Sequence, residues 1–319
     1  MELGKENKND EKNRKNENDE KIMKSKREKI STTKQKKRSV KQSGNIRHWF
    51  QAAWCALTNG YVMGYVEGKI YRGKSKLLCV PGLNCYSCPG ALGSCPIGSL
   101  QAVLSSPKFT VSCYVFGFLI LFGSLFGRLV CGWLCPFGLV QDLIYKIPFP
   151  VKKKNMPGHK YLRYLKWGIL VVFVCLLPAV VTGIAGVGDP WFCKYICPSG
   201  TLFGALPLIT VNEGLRAAVG KLFQWKVLIL AAVLLWSVVY YRPFCKYLCP
   251  LGAWYGSFHP LSLYRFHIDK DACISCGACQ KACKMDIPVW KQPNSPECIR
   301  CQDCRHACPT GAIKTRLFK

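Results

Sequence analysis

The chain has 319 residues, half of them hydrophobic, with 21 cysteines and a formal net charge of +28. Its apolar residues collect in long uncharged runs, which argues against a soluble core and for a membrane protein. Its cysteines fall in ligand-type groups, which argues against a disulfide scaffold and for a reducing or anaerobic setting.

Residues 1–45 are mainly Lys, Asn, Glu and Asp and turn basic at Lys34–Arg38. Such a stretch buries too little surface to offset its chain entropy, so a disordered, basic cytoplasmic tail is expected. No short apolar region with a small-residue cleavage site follows it, as a signal peptide would require. Excess Lys and Arg here is explained by topology, and no nucleic-acid partner is expected.

Residues 46–260 read as a membrane domain. Four apolar stretches, Trp49–Val66, Phe109–Gly127, Trp167–Gly188 and Leu222–Tyr241, each approach the ~20 residues a spanning helix needs. The connection after the second carries Arg128, Lys146, Lys152, Lys153, Lys154, Lys160, Arg163 and Lys166. The connection after the third carries only Lys194, Arg216 and Lys221. The positive-inside bias therefore predicts a multi-pass inner-membrane protein, all-α in its membrane part, as a four-transmembrane-helix bundle with both termini in the cytoplasm. The segment Gly138–Lys146 is amphipathic and is expected to lie along the inner surface.

One tetrapeptide, C-P-x-G, recurs along this frame at Cys95, Cys135, Cys197, Cys249 and Cys308. Three copies extend backwards to C-x3-C-P, as Cys131/Cys135, Cys193/Cys197 and Cys245/Cys249. Proline after cysteine favours a turn into a new helix, whose N-terminus favours the thiolate. Topology then sorts the thiols. Cys131, Cys135, Cys245 and Cys249 fall at the inner face and number four, enough for one [4Fe–4S] cluster. Cys193 and Cys197 fall at the outer face with the loop cysteines Cys79, Cys85, Cys88 and Cys95. There the expectation is one cluster from Cys193 and Cys197 with two of Cys85, Cys88 and Cys95.

Residues 261–319 carry C-x2-C-x2-C-x3-C twice, separated by fourteen residues. This is the spacing with which bacterial ferredoxins hold two [4Fe–4S] clusters, the fourth cysteine of each run serving the other cluster. Cys273, Cys276, Cys279 and Cys308 are thus assigned to one cluster, and Cys298, Cys301, Cys304 and Cys283 to the second. A small α+β ferredoxin domain is expected, on the cytoplasmic side. Zinc shares the C-x2-C spacing but has no use for the third and fourth cysteines at these offsets. Cys55, Cys113 and Cys175 stand singly within apolar stretches and receive no role. No C-x-x-C-H or dinucleotide glycine fingerprint points to haem or a nucleotide.

Spans followed by C-G-W-L-C-P (131–136) and C-K-Y-L-C-P (245–250), ending in a two-cluster ferredoxin, resemble the NapH-type membrane ferredoxins. The C-terminal part of NosR-type proteins is similar. The resemblance covers residues 109–319. It implies an integral membrane iron–sulfur protein relaying electrons between a quinol pool or cytoplasmic donor and a respiratory or maturation partner. This chain departs from the usual pattern in its third C-x3-C-P and in lacking a flavin-binding extracytoplasmic domain. The expected function is single-electron transfer across the membrane, as a component of an oxidoreductase system with redox-protein partners or a quinone. The alternative is an iron–sulfur redox sensor or an assembly factor for a respiratory enzyme.

Overall fold

The computed structural model describes residues 42–105, 113–181 and 188–317. The expected tail lies almost wholly outside these residues, as do the start of the second expected span and residues 182–187 of the third. The described chain is mostly helical, with one two-stranded sheet.

Two helices, His159–Val180 and Lys221–Val239, are long and apolar enough to cross a membrane. Only 28% and 17% of their apolar windows are buried, so most of that surface, including Leu176, Val180, Leu228 and Leu235, faces outward. The first accommodates Pro178, which lacks an N–H and crowds the preceding turn, by widening into a π-helical stretch over Leu170–Leu176.

The other two expected spans take different forms. Trp49–Val66 is divided. A helix covers 42–58, and a short helix, Met63–Glu67, restarts after a break. At the break Thr58 Oγ1 and Asn59 Nδ2 donate to the carbonyls of Trp54 and Cys55, competing with helix continuation. Phe109–Gly127 is represented by the helix Cys113–Phe126. Gly127 ends it at φ +53, and a Cβ there would stand 2.9 Å from His259 Nδ1.

At the C-terminus β1 (Arg265–Ile268) pairs antiparallel with β2 (Ile313–Arg316), Arg265 opposite Arg316 and Ile268 opposite Ile313. Between them the short helices Ala278–Ala282 and Asp303–Ala307 pack together. This unit is not a loosely tethered tail. Trp133 Nε1 donates to the Arg300 carbonyl at 3.1 Å. The buried Arg300 guanidinium donates to the carbonyls of Phe126 and His259 and to Ser262 Oγ. Gly132 permits the closest approach, since a Cβ there would lie 2.3 Å from the Ile299 carbonyl oxygen. Gly132→Ala is therefore expected to cost about 1–3 kcal/mol, as overpacked sites do, and to speed hydrogen exchange at residues 298–304 without unfolding the long helices.

Candidate metal centres

Two cavities in the C-terminal unit are each lined by four cysteines. One takes Cys273, Cys276 and Cys279 from the first run and Cys308 from the second. The other takes Cys298, Cys301 and Cys304 from the second run and Cys283 from the first. The loops achieve this by turning left-handed at equivalent places, Ser275 and Gly277 in one run, Arg300 and Gln302 in the other. Such turns aim backbone N–H groups inward, and Arg300 N–H donates to Cys298 Sγ at 3.4 Å. Only Gly277 adopts this conformation freely; Gln302 is held there by its bond to Tyr264 Oη. Burial pushes the thiols of Cys298 and Cys301 up to about 11 and about 12. The first cavity opens outward, with Cys276 exposed.

The C-P-x-G copies at Cys95, Cys135, Cys197 and Cys249 share one local geometry. Each cysteine has an extended backbone and caps a helix that begins at the following proline. At Cys249 the sulfur accepts the N–H of the glycine three residues on, Gly252, at 3.4 Å. None of the four glycines adopts a special φ; a Cβ on Gly138 or Gly252 would press on a backbone carbonyl and on the Arg242 or Arg128 guanidinium.

Cys131, Cys135, Cys245 and Cys249 converge as one buried set. Its thiols are pushed up by burial, Cys245 to about 11, although Arg242 pulls in the other direction. Gln141 Nε2 donates to Cys245 Sγ at 3.2 Å. Arg242 Nη1 donates to the Cys131 carbonyl and Arg128 Nη2 to the Cys245 carbonyl. The helix Pro136–Tyr145 that follows Cys135 turns Gln141 and Asp142 inward, where both are buried. Its polar face is thus used by the protein interior, the reverse of the surface-lying arrangement expected for Gly138–Lys146.

Of the expected outer cysteines, Cys85, Cys95, Cys193 and Cys197 face one another. Cys88 turns away to Tyr65 Oη, 3.1 Å distant, and Asn59. Cys79 turns to Ser94 and Ser99. One loop touches both sets: a Cβ on Gly82 would stand 3.1 Å from Cys135 Cα, and the Leu83 carbonyl accepts Ser199 Oγ.

Among the described residues no three His, Cys, Asp or Glu side chains close on a single metal ion. Mononuclear zinc would need its sulfurs about 2.3 Å from one point. Sets of four thiols, all sulfur and ringed by N–H donors, fit a cluster of several irons. Arg128, Arg242, Gln101 and Gln141 escaped the sequence reading. The one available signal was C-P-x-G-x-x-Q, which occurs at 95–101 and again at 135–141.

A 4Fe-4S binding domain family matches residues 109–157, 167–209 and 222–261, and a second 4Fe-4S binding domain family matches 264–285. An uncharacterized protein of Methanocaldococcus jannaschii is 26% identical over 205 residues, 62% of this chain and 68% of its own length. The methylamine utilization ferredoxin-type protein MauN of Paracoccus denitrificans is 28% identical over 256 residues, 77% of each chain. The ferredoxin-type protein NapH of Haemophilus influenzae is 26% identical over 209 residues, 61% of this chain and 65% of its own length. No solved structure matches the chain. By these relatives and matched domains, the chain belongs to the NapH-type polyferredoxin family.

Proposed function

We propose that this protein is a membrane electron carrier. It takes single electrons at its C-terminal ferredoxin domain and delivers them through the Cys131/Cys135/Cys245/Cys249 set to a redox partner protein or a quinone. The observation that carries this reading is the position of Arg128. Its guanidinium donates both to the Cys245 carbonyl and to the carbonyl of Pro296 and the carboxylate of Glu297, immediately before Cys298. One rigid side chain therefore ties the backbone of one four-thiol set to that of the next.

When bound, [4Fe–4S] clusters supply one-electron chemistry. The chain's residues do the rest. The C-terminal thiols hold two clusters, Cys273, Cys276, Cys279 and Cys308 one of them, Cys283, Cys298, Cys301 and Cys304 the other; Cys131, Cys135, Cys245 and Cys249 hold a third. Backbone and glutamine N–H donors face the sulfurs and stabilise their negative charge, and burial excludes water. Burial alone keeps such thiols protonated, so iron is the group that brings them to thiolate. The outward apolar faces of His159–Val180 and Lys221–Val239 suit a hydrocarbon surround, which supports a membrane protein, and the basic connection after Phe109–Gly127 favours the cytoplasm for its ferredoxin domain. The names of the ferredoxin-type relatives support the electron-transfer role.

The test is iron and acid-labile sulfide after anaerobic purification, in wild type and in a C245A/C249A variant. The variant should lose about four irons while keeping about eight in the C-terminal domain. Dithionite should still reduce that domain, but electrons should no longer reach a membrane acceptor. Unchanged iron and unchanged coupling would refute the assignment.

A further inference from the structure

We propose that Cys85, Cys95, Cys193 and Cys197 form a second buried site for a four-iron cluster, built on the same plan as the Cys131/Cys135/Cys245/Cys249 site and set against it. This rests on the electron-carrier reading and extends it.

The two sites are assembled from matching parts. Each takes a C-P-x-G-x-x-Q helix start, at 95–101 or 135–141, and a C-x3-C-P turn, at 193–198 or 245–250. The glutamines make the match specific. Gln141 Nε2 donates to Cys245 Sγ, and Gln101 Nε2 donates to Cys193 Sγ at 3.3 Å. Both glutamines are fully buried, and each addresses the first cysteine of the opposing turn. The Phe192 N–H donates to Gln101 Oε1, which fixes the amide with its nitrogen toward the sulfur. The amide nitrogen also donates to the Ile97 carbonyl one turn back, at 3.3 Å. Its second N–H is left for the sulfur, an arrangement that suits a sulfur carrying negative charge.

Space and backbone polarity agree. The N–H groups of Gly98 and Gly200 lie at the N-termini of the helices that Cys95 and Cys197 cap. A Cβ on Gly200 would stand 3.4 Å from Cys85 Sγ, and one on Gly98 would stand 3.8 Å from Cys193 Sγ, so both glycines line the space between the sulfurs. The fourth thiol comes from Cys85, whereas the matching site uses Cys131, so the plans differ at that corner. Cys88, equally eligible by sequence, is occupied by Tyr65 and Asn59.

The placement gives the site a use. Helix 42–58 runs from Arg47, bonded to the Gly132 carbonyl, to Thr58, whose carbonyl receives Leu92 and Asn84. That is about 16 Å of helix rise, well short of a ~30 Å hydrocarbon core. Tyr255, fully buried and bonded to the Pro81 carbonyl, sits between the two sites. A second site here extends the carrier inward, toward the half of the membrane that the ferredoxin domain does not reach.

The test is iron content with EPR of the reduced protein, for wild type, C95A/C193A, C88A and Q101L. Wild type should hold about 16 irons, C95A/C193A about 12 and C88A about 16. Q101L, which leaves every thiol in place, should keep its iron while one cluster's midpoint potential moves lower, because an N–H···S bond has been removed. Iron loss in C88A to the same extent as in C95A/C193A would overturn the ligand set. A wild-type value of about 12, with four irons lost on removing Cys131 and Cys135, would overturn this site and leave the proposed function standing. A value of about 8 or less would overturn both.

Discussion

Glu297→Gln should loosen the seat of the C-terminal cysteine-bearing unit more than any other single neutralisation in it. The Glu297 carboxylate holds Arg128 Nη1 at 2.8 Å and Lys166 Nζ at 2.5 Å. Both cations are essentially without solvent contact, at 0% and 1% side-chain exposure, so their only ionic partner is this carboxylate among the described residues. Burial works to raise the carboxyl, but the two cations outweigh it and hold it at about 2. The amide keeps the shape and removes the charge, leaving two buried cations uncompensated. Breaking a buried pair in this way costs about 3–5 kcal/mol. The expected result is faster hydrogen exchange at residues 296–304 and a lower denaturation midpoint in detergent. Lys166→Met in the same chain should restore part of the loss, because it removes one of the two stranded charges, and a double-mutant cycle measures that coupling. Wild-type protection in Glu297→Gln would mean that the contacts of Arg300 and Trp133 hold the domain unaided.

What the sequence made legible follows from which constraints are local. The ferredoxin runs were readable because cluster spacing dictates ligand spacing within a few residues, and the structure places those cysteines in two cavities. The spans centred on residues 170 and 230 were readable because composition alone extends over enough residues. Trp49–Val66 was not, because two short polar side chains, Thr58 and Asn59, bond to the backbone and end the helix inside an apolar stretch. Periodicity revealed that Gly138–Lys146 is two-sided but could not say which side is buried. The partners of Gln141 and Asp142 lie about a hundred residues away, at Cys245 and Arg242. The choice among the loop cysteines was equally non-local. Cys85, Cys88 and Cys95 have comparable spacing, and Tyr65 and Asn59 separate Cys88 from the others by engaging its sulfur. Charge counts weigh the loops against one another but carry no information on depth, and the contacts of the 79–85 loop with both thiol sets are non-local.

Arg242→Met should be the most damaging change outside the cysteines. Arg242 is fully buried and grips Asp142 with two N–H groups, Nε at 2.7 Å and Nη2 at 2.6 Å, while Nη1 supports the Cys131 carbonyl. It does so from a left-handed backbone, φ 47, a conformation that costs a non-glycine residue about 1–3 kcal/mol and persists only where surrounding contacts enforce it. That bend aims Pro243 and the helix Pro243–Tyr247, which carries Cys245, at the thiol set. Removing the guanidinium leaves Asp142 to Arg47, at 3.0 Å, with the His48 ring at 3.8 Å. The expected outcome is a loss of about 3–5 kcal/mol together with about four irons, read by thermal unfolding and metal analysis. Arg242→Lys should rescue only part of both, because an ammonium cannot bridge the carboxylate and the carbonyl as a planar fork does. The pH dependence has a definite sign. Burial opposes ionisation of Asp142, but Arg242 and Arg47 hold its carboxyl far below the ordinary 3.8. Its contribution is therefore complete above that value and fades only as pH falls below it. Wild-type stability should accordingly show no change from titration of this carboxylate between about pH 8 and pH 5. A wild-type loss of stability within about that range would come from a group other than Asp142.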